Sequence, residues 1–74
     1  MDTILDILRG LHDDVDYANE KALIDDGIFD SFDIIQLVGE LNDAFDIEIN
    51  VEDLTPDNFN SADAIYALVQ ELKQ

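Results

Sequence analysis

Apolar residues recur at intervals of three and four in three separate segments of the chain. The three stripes are Ile4, Leu5, Leu8 and Leu11; Ile34, Leu37, Val38, Leu41 and Phe45; and Ala62, Ile65, Leu68, Val69 and Leu72. This spacing places the apolar side chains of each segment on one side of an α-helix. The sequence therefore predicts three amphipathic helices, and the one from Ser31 to Phe45 has the clearest stripe.

Residues that favour helix ends border the third stripe and mark a further short helix before it. Thr55 followed by Pro56 is typical of an N-cap and the first residue of a helix, which we expect to end at about Phe59. Asn60 or Ser61 can cap the last helix, because a short polar side chain accepts a hydrogen bond from a free backbone N–H there. The sequence thus predicts three main helices and one short helix.

The segments between these helices lack a helical period. Residues 13–30 are rich in aspartate, and we predict a long loop whose apolar residues hold it on the core. These are Val15, Tyr17, Leu23, Ile24, Ile28 and Phe29. Residues 46–51 alternate between polar and apolar, but a lone strand would have no partner, so we predict an extended connector with Ile47, Ile49 and Val51 packed inward. The expected fold is a single all-α domain over residues 1–74.

The composition limits the partners and the chemistry. The 74 residues contain 19 acids and 3 Lys or Arg, a formal net charge of −16, which disfavours binding to nucleic acid or to an anionic membrane. Residues 22–72 contain 13 acids and no basic residue, so we expect partners with basic surfaces. Because 47% of the residues are hydrophobic, the chain is expected to fold rather than remain a disordered acidic tail.

The absence of cysteine excludes a protein thiol nucleophile, and the single histidine excludes a multi-histidine metal site. We therefore predict no metal site. His12 is expected to be exposed near the end of the first helix, where its cation is mildly favoured. The first residues are acidic, unlike the basic start of a signal peptide, and we expect a cytoplasmic monomer.

The segment from Leu23 to Ile35 places a serine at the start of the clearest helix, after an acidic loop that contains Gly27. A phosphate ester on Ser31 would lie where backbone N–H groups and the helix dipole favour an anion. The alternative is that Ser31 or Asp30 is only the helix N-cap. The spacing alone leaves both interpretations open.

Residues 23–45 resemble the acyl and peptidyl carrier proteins. The shared pattern is an apolar pair, two acids, a glycine, two apolar residues and Asp30-Ser31, followed by an amphipathic helix that ends at a phenylalanine. The connector and the last two helices follow in the family's order, so the resemblance covers the whole chain. It implies an acyl-carrier-protein-like four-helix bundle that is not an enzyme and carries acyl or aminoacyl thioesters on 4′-phosphopantetheine. A phosphopantetheinyl transferase would attach this group from coenzyme A to Ser31, with Asp30 helping to position the transferase.

The flank of the second main helix opposite its apolar stripe is the predicted surface for the loading ligase and downstream transferases. Its residues are Phe32, Ile35, Gln36, Gly39, Glu40 and Asp43. For Phe32 and Ile35 the alternative is the ordinary edge of the core. Phe32, Gln36 and residues 56–61 look nearer to the D-alanyl carriers of teichoic-acid modification, whereas the acidity looks nearer to fatty-acyl or polyketide carriers. A rival function is a non-covalent acidic interaction module that mimics nucleic acid.

Overall fold

In the computed structural model, which describes residues 2–73, four α-helices and one 3₁₀ helix form the secondary structure. They are α1 (Asp2–Leu11), α2 (Ser31–Phe45), the 3₁₀ helix (Val51–Asp53), α3 (Pro56–Phe59) and α4 (Ala62–Leu72). The prediction of an all-α bundle with three main helices and one short helix is confirmed. Residues 2–73 contain no strand, in agreement with the connector predicted for residues 46–51.

One hydrophobic core joins the helices. Helix α1 packs against α2 and α4, and α3 packs against α4. The buried apolar residues are Ile4, Leu8, Tyr17, Leu23, Phe29, Leu37, Leu41, Ile49, Phe59, Ala62, Ile65, Leu68 and Val69. Each predicted stripe supplies residues to this core, because helical spacing turns the same face of the helix inward. The described residues share this core, and the extent of the domain over residues 1–74 stays a prediction.

The loop between α1 and α2 is held by its apolar residues, as predicted. Tyr17, Leu23 and Phe29 are buried, and Val15, Ile24 and Ile28 pack against the core while remaining partly exposed. The Tyr17 hydroxyl lies 2.9 Å from the carbonyl oxygen of Leu8 and 2.6 Å from that of His12, and it shares its one proton between these two acceptors. These contacts fix the loop to the end of α1 and fix the position of the residues that precede Ser31.

Asn60 ties the same loop to the end of α3. Its side-chain oxygen accepts hydrogen bonds from the backbone N–H groups of Ile24 (3.0 Å) and Asp25 (3.1 Å), and its carbonyl accepts one from Leu23 (2.9 Å). Ser61, rather than Asn60, is the N-cap of α4, since its hydroxyl accepts the N–H of Ala64. The sequence left these two candidates open, and the long-range contacts of Asn60 explain the outcome.

The connector after α2 is predicted correctly except at its end. Ile49 is buried and Ile47 is partly buried, whereas Val51 is 84% exposed, so the prediction that Val51 packs inward is wrong. Val51 begins the 3₁₀ helix, and this change of backbone direction breaks the alternation that would have turned the side chain inward. The side-chain oxygen of Asn42 in α2 accepts the N–H of Ile49 and holds the connector in place.

Candidate functional site

Ser31 is the first residue of α2, and its side chain is exposed to solvent. Neither its hydroxyl nor its backbone N–H makes a hydrogen bond to any residue between 2 and 73. Ser61, the other serine of the chain, is only 9% exposed and uses its hydroxyl as the cap of α4. Of the two serine hydroxyls, that of Ser31 is therefore the one available for a reaction.

Asp30 is the N-cap of α2, which decides between the two capping candidates. Its carboxylate accepts the N–H of Asp33 (2.9 Å), and its own N–H donates to the Asp33 carboxylate (3.3 Å). This reciprocal pair is a capping box, which satisfies two backbone donors at the helix start. Ser31 lies inside this box, so the backbone on both sides of its hydroxyl is fixed.

The loop before Asp30 is shaped by a left-handed residue and a buried ring. Gly27 has φ +73°, a conformation that costs little only without a side chain. The Phe29 ring is buried, and the Phe29 N–H donates to the carbonyl of Leu23 (3.1 Å). The turn at Gly27 and the buried ring of Phe29 thus place Asp30 and Ser31 at the surface, at the start of α2.

A shallow apolar groove of about 430 Å³ lies beside Ser31. Ile24, Phe29, Ile34, Ile35 and Leu54 line it together with Asp30 and Ser31. No local pattern marks Leu54 as a residue of this groove, because its position beside α2 depends on the path of the connector. The groove provides an apolar surface next to an otherwise polar, acidic helix start.

All six residues predicted for the partner surface are exposed on α2. Phe32 is 82% exposed and Ile35 is 67% exposed, so the alternative of a core edge is wrong for both. Gln36, Gly39, Glu40 and Asp43 extend the same exposed region toward the end of the helix. Two large apolar side chains are therefore in water close to the free serine.

His12 does not extend into solvent as predicted. Its side chain is 32% exposed, and its Nε2 lies 2.8 Å from Oδ2 of Asp33. This hydrogen bond is the main cause that raises the pKa of His12 above its usual 6.5 and lowers that of Asp33. No local pattern predicts this contact, since 21 positions separate the two residues in the sequence. Asp33, at the spacing of a capping box from Asp30, was recognisable as a helix-start residue.

Two negative findings apply to residues 2–73. No group of three or more histidine, aspartate or glutamate side chains there is arranged to hold a metal ion. Likewise, no helix in that range is long and apolar enough to cross a membrane.

Comparison with known proteins identifies the family. Residues 2–69 match the family described as "Phosphopantetheine attachment site". The chain belongs to the phosphopantetheine carrier family. Its prosthetic group is therefore 4′-phosphopantetheine, and the family implies partner enzymes such as transferases and ligases. Carriers of this family are typically non-catalytic.

Individual relatives cover nearly the whole chain. The chain is 32% identical over 71 residues to the D-alanyl carrier protein of Streptococcus sanguinis (strain SK36), covering 95% of this chain and 90% of the relative. It is 33% identical over 72 residues to the D-alanyl carrier protein of Streptococcus suis (strain 05ZYH33), covering 96% and 91%. The similarity thus includes the loop before α2 as well as the helices.

Proposed function

We propose that Ser31 is the attachment residue for phosphopantetheine and that this carrier transports aminoacyl groups, D-alanine in the first instance. The observation that carries the assignment is the exposed, unbonded hydroxyl of Ser31 at the start of α2, set against the buried and bonded hydroxyl of Ser61. The similarity to proteins named D-alanyl carriers supports the choice of cargo.

The surroundings of Ser31 suit the group chemically. A phosphate on its oxygen would meet the start of a 15-residue helix, where the dipole and the backbone N–H groups favour an anion. The apolar groove beside Ser31 offers contact area to the pantetheine chain. When attached, the group supplies a terminal thiol for a thioester, which a chain without cysteine lacks.

The attachment is a phosphoryl transfer that a partner enzyme performs. The Ser31 oxygen forms the phosphodiester bond, the pyrophosphate bond of coenzyme A breaks, and adenosine 3′,5′-bisphosphate leaves while the hydroxyl proton passes to a base of the transferase. We propose that the Asp30 carboxylate helps to position that transferase. We place the carrier in the cytoplasm, because the coenzyme A and ATP that these reactions require are found there. We also propose that it is a monomer without catalytic activity of its own.

We further propose that partners dock on the exposed flank of α2. Phe32 and Ile35 offer apolar contacts near the serine. Glu40 and Asp43 offer carboxylates farther along the helix, which complement basic residues of a ligase or transferase. Gln36 and Gly39 lie between these two parts of the surface.

Intact mass after incubation with coenzyme A and a broad-specificity phosphopantetheinyl transferase tests the attachment. We expect the wild-type protein and Ser61→Ala to gain one phosphopantetheine group and Ser31→Ala to gain none. An unmodified wild-type protein would refute the carrier assignment and favour a non-covalent acidic module.

The cargo is tested on the modified carrier. With ATP, a D-alanine-activating ligase should add one alanyl group that hydroxylamine removes, as expected for a thioester. Loading by a fatty-acyl ligase but not by the D-alanine ligase would refute the aminoacyl assignment while leaving the attachment at Ser31 intact.

A further inference from the structure

A polar pair connects the end of α1 to the start of α2. His12 follows the last residue of α1, and Asp33 lies in the first turn of α2. Nε2 of His12 and Oδ2 of Asp33 are 2.8 Å apart, and the side chains are 32% and 24% exposed. The pair is partly exposed, so water screens part of its attraction, but its 2.8 Å hydrogen bond joins the two helix ends directly. It is therefore suited to fix the two helices relative to each other.

The same Asp33 oxygen that contacts His12 also accepts the N–H of Asp30. Asp33 in turn donates its own N–H to the Asp30 carboxylate. A continuous set of hydrogen bonds thus runs from His12 through Asp33 to Asp30. These bonds enclose Ser31 on both sides, so a change at His12 acts on the turn that presents the serine.

His12 is itself held in place by its neighbours. Its ring centroid lies 5.0 Å from that of Phe29, which is buried in the loop before α2. Its carbonyl oxygen accepts the hydroxyl of Tyr17 at 2.6 Å. The imidazole is therefore positioned before it meets Asp33, and little conformational freedom is lost when the bond forms.

The charges around His12 favour its protonated form. Asp33 and Asp30 approach from the start of α2 and Asp14 from the loop, and all three raise the pKa of His12, whereas partial burial lowers it. Tyr17, whose hydroxyl lies 2.6 Å from the His12 carbonyl oxygen, is neutral over the same range because burial raises its pKa to about 12. The ionised pair is therefore present above the lowered pKa of Asp33 and is lost as pH rises through the raised pKa of His12.

We propose that protonated His12 is a positioning residue which, by holding Asp33, fixes the first turn of α2 and so presents Ser31 to the transferase. The proposal rests on the assignment of Ser31 as the attachment residue. It makes the modification of Ser31 sensitive to pH through a residue that lies 19 positions away in the sequence.

The pair of His12 and Asp33, which we term the clamp, can be observed in the unmodified wild-type protein. Because His12 is the only histidine, its ring signals in an NMR titration report one pKa without ambiguity. We expect the amide signals of Ser31 and Asp33 to shift with the same midpoint, and Asp33→Asn to lower that midpoint. Amide signals that do not follow the His12 titration would overturn the proposal.

Two substitutions test the effect on modification. His12→Gln retains an amide that can donate to Asp33 but does not titrate, whereas His12→Ala removes the donor. Below the pKa of His12 we expect His12→Ala to be modified about threefold more slowly than wild type, the range of one partly exposed charge-assisted hydrogen bond. The ratio of the wild-type rate to the His12→Gln rate should fall as pH rises through that pKa, and the transferase's own pH dependence cancels in the ratio.

Lys21→Ala is the matched control, since it removes an exposed ion pair between the loop before α2 and Asp63 of α4, and neither partner belongs to the hydrogen-bonded set of His12, Asp30 and Asp33. Its modification rate should equal that of wild type at every pH. A wild-type to His12→Gln ratio that is flat with pH would overturn the positioning role while leaving Ser31 assigned. An unmodified wild-type protein would overturn the assignment of Ser31 instead, and the NMR titration would still test the clamp.

Discussion

Asp30 caps α2, and we propose that it also contacts the transferase; two substitutions separate these roles. Asparagine caps a helix about as well as aspartate, because its side-chain oxygen also accepts the N–H of the third helical residue. Alanine offers no acceptor. Asp30→Asn therefore removes the charge and retains the cap, whereas Asp30→Ala removes both.

The magnitude follows from the hydrogen bonds that are lost. Asp30→Ala leaves the Asp33 N–H without its 2.9 Å partner, and the loss of such a cap costs about 1 kcal/mol. For a domain of this size, that lowers the thermal midpoint by about 4–8 °C. Asp30→Asn should remain within about 2 °C of wild type. Both should be modified at Ser31 about tenfold more slowly, if the carboxylate makes one charge-assisted hydrogen bond to the transferase.

Ser61→Ala is the control for stability alone. It removes an equivalent cap, the 3.0 Å bond from the Ala64 N–H at the start of α4, and should lower the midpoint by a similar amount without slowing the modification. Circular dichroism gives the midpoints, and intact mass against time gives the rates. Unchanged rates in both Asp30 variants would refute the transferase contact, and an Asp30→Asn midpoint as low as that of Asp30→Ala would refute the capping account.

Two further predictions concern the whole fold. The neutral Tyr17 hydroxyl shares its proton between two carbonyl oxygens, and burial raises its pKa from 10.0 to about 12. The stability of the wild-type protein should therefore fall as pH rises from 10 to 12, and urea titrations of Tyr17→Phe should show a smaller fall. The net charge of −16 destabilises the folded chain through self-repulsion, which salt screens, so added NaCl should raise the thermal midpoint by about 5 °C. A thermal midpoint that does not depend on ionic strength would contradict net self-repulsion.

The helices were predictable because their determinants are local. The Ser31–Phe45 and Ala62–Leu72 stripes follow the period of a helix, and Thr55-Pro56 marks a helix start from two adjacent residues. The exposure of the α2 flank followed from the same period. These features depend on residues at most a few positions apart, which a sequence displays directly.

The features that sequence reasoning missed depend on contacts between distant segments. The pairing of His12 with Asp33 requires the loop to bring two helix ends together, and the use of Asn60 by the loop requires 35 residues to fold back. The prediction that Val51 packs inward is wrong for a different reason. The 3₁₀ helix that begins at Val51 changes the backbone direction, so the side chain no longer follows the alternation of residues 46–51. None of these has a period or a motif in the sequence.

The distribution of charge indicates how a partner meets the two ends of α2. Residues 22–72 contain no basic side chain, and only two ion pairs form among residues 2–73, one of them between His12 and Asp33. Within residues 2–73, the carboxylates of Glu40 and Asp43 form no ion pair, so a basic partner that docks as proposed would gain most by approaching there. At the Ser31 end, a partner that docks as proposed would meet exposed Phe32 near Asp33, which already pairs with His12. Salt should therefore weaken the approach along α2 more than the contact at the serine itself, because screening acts on the carboxylates and leaves the apolar contact unchanged.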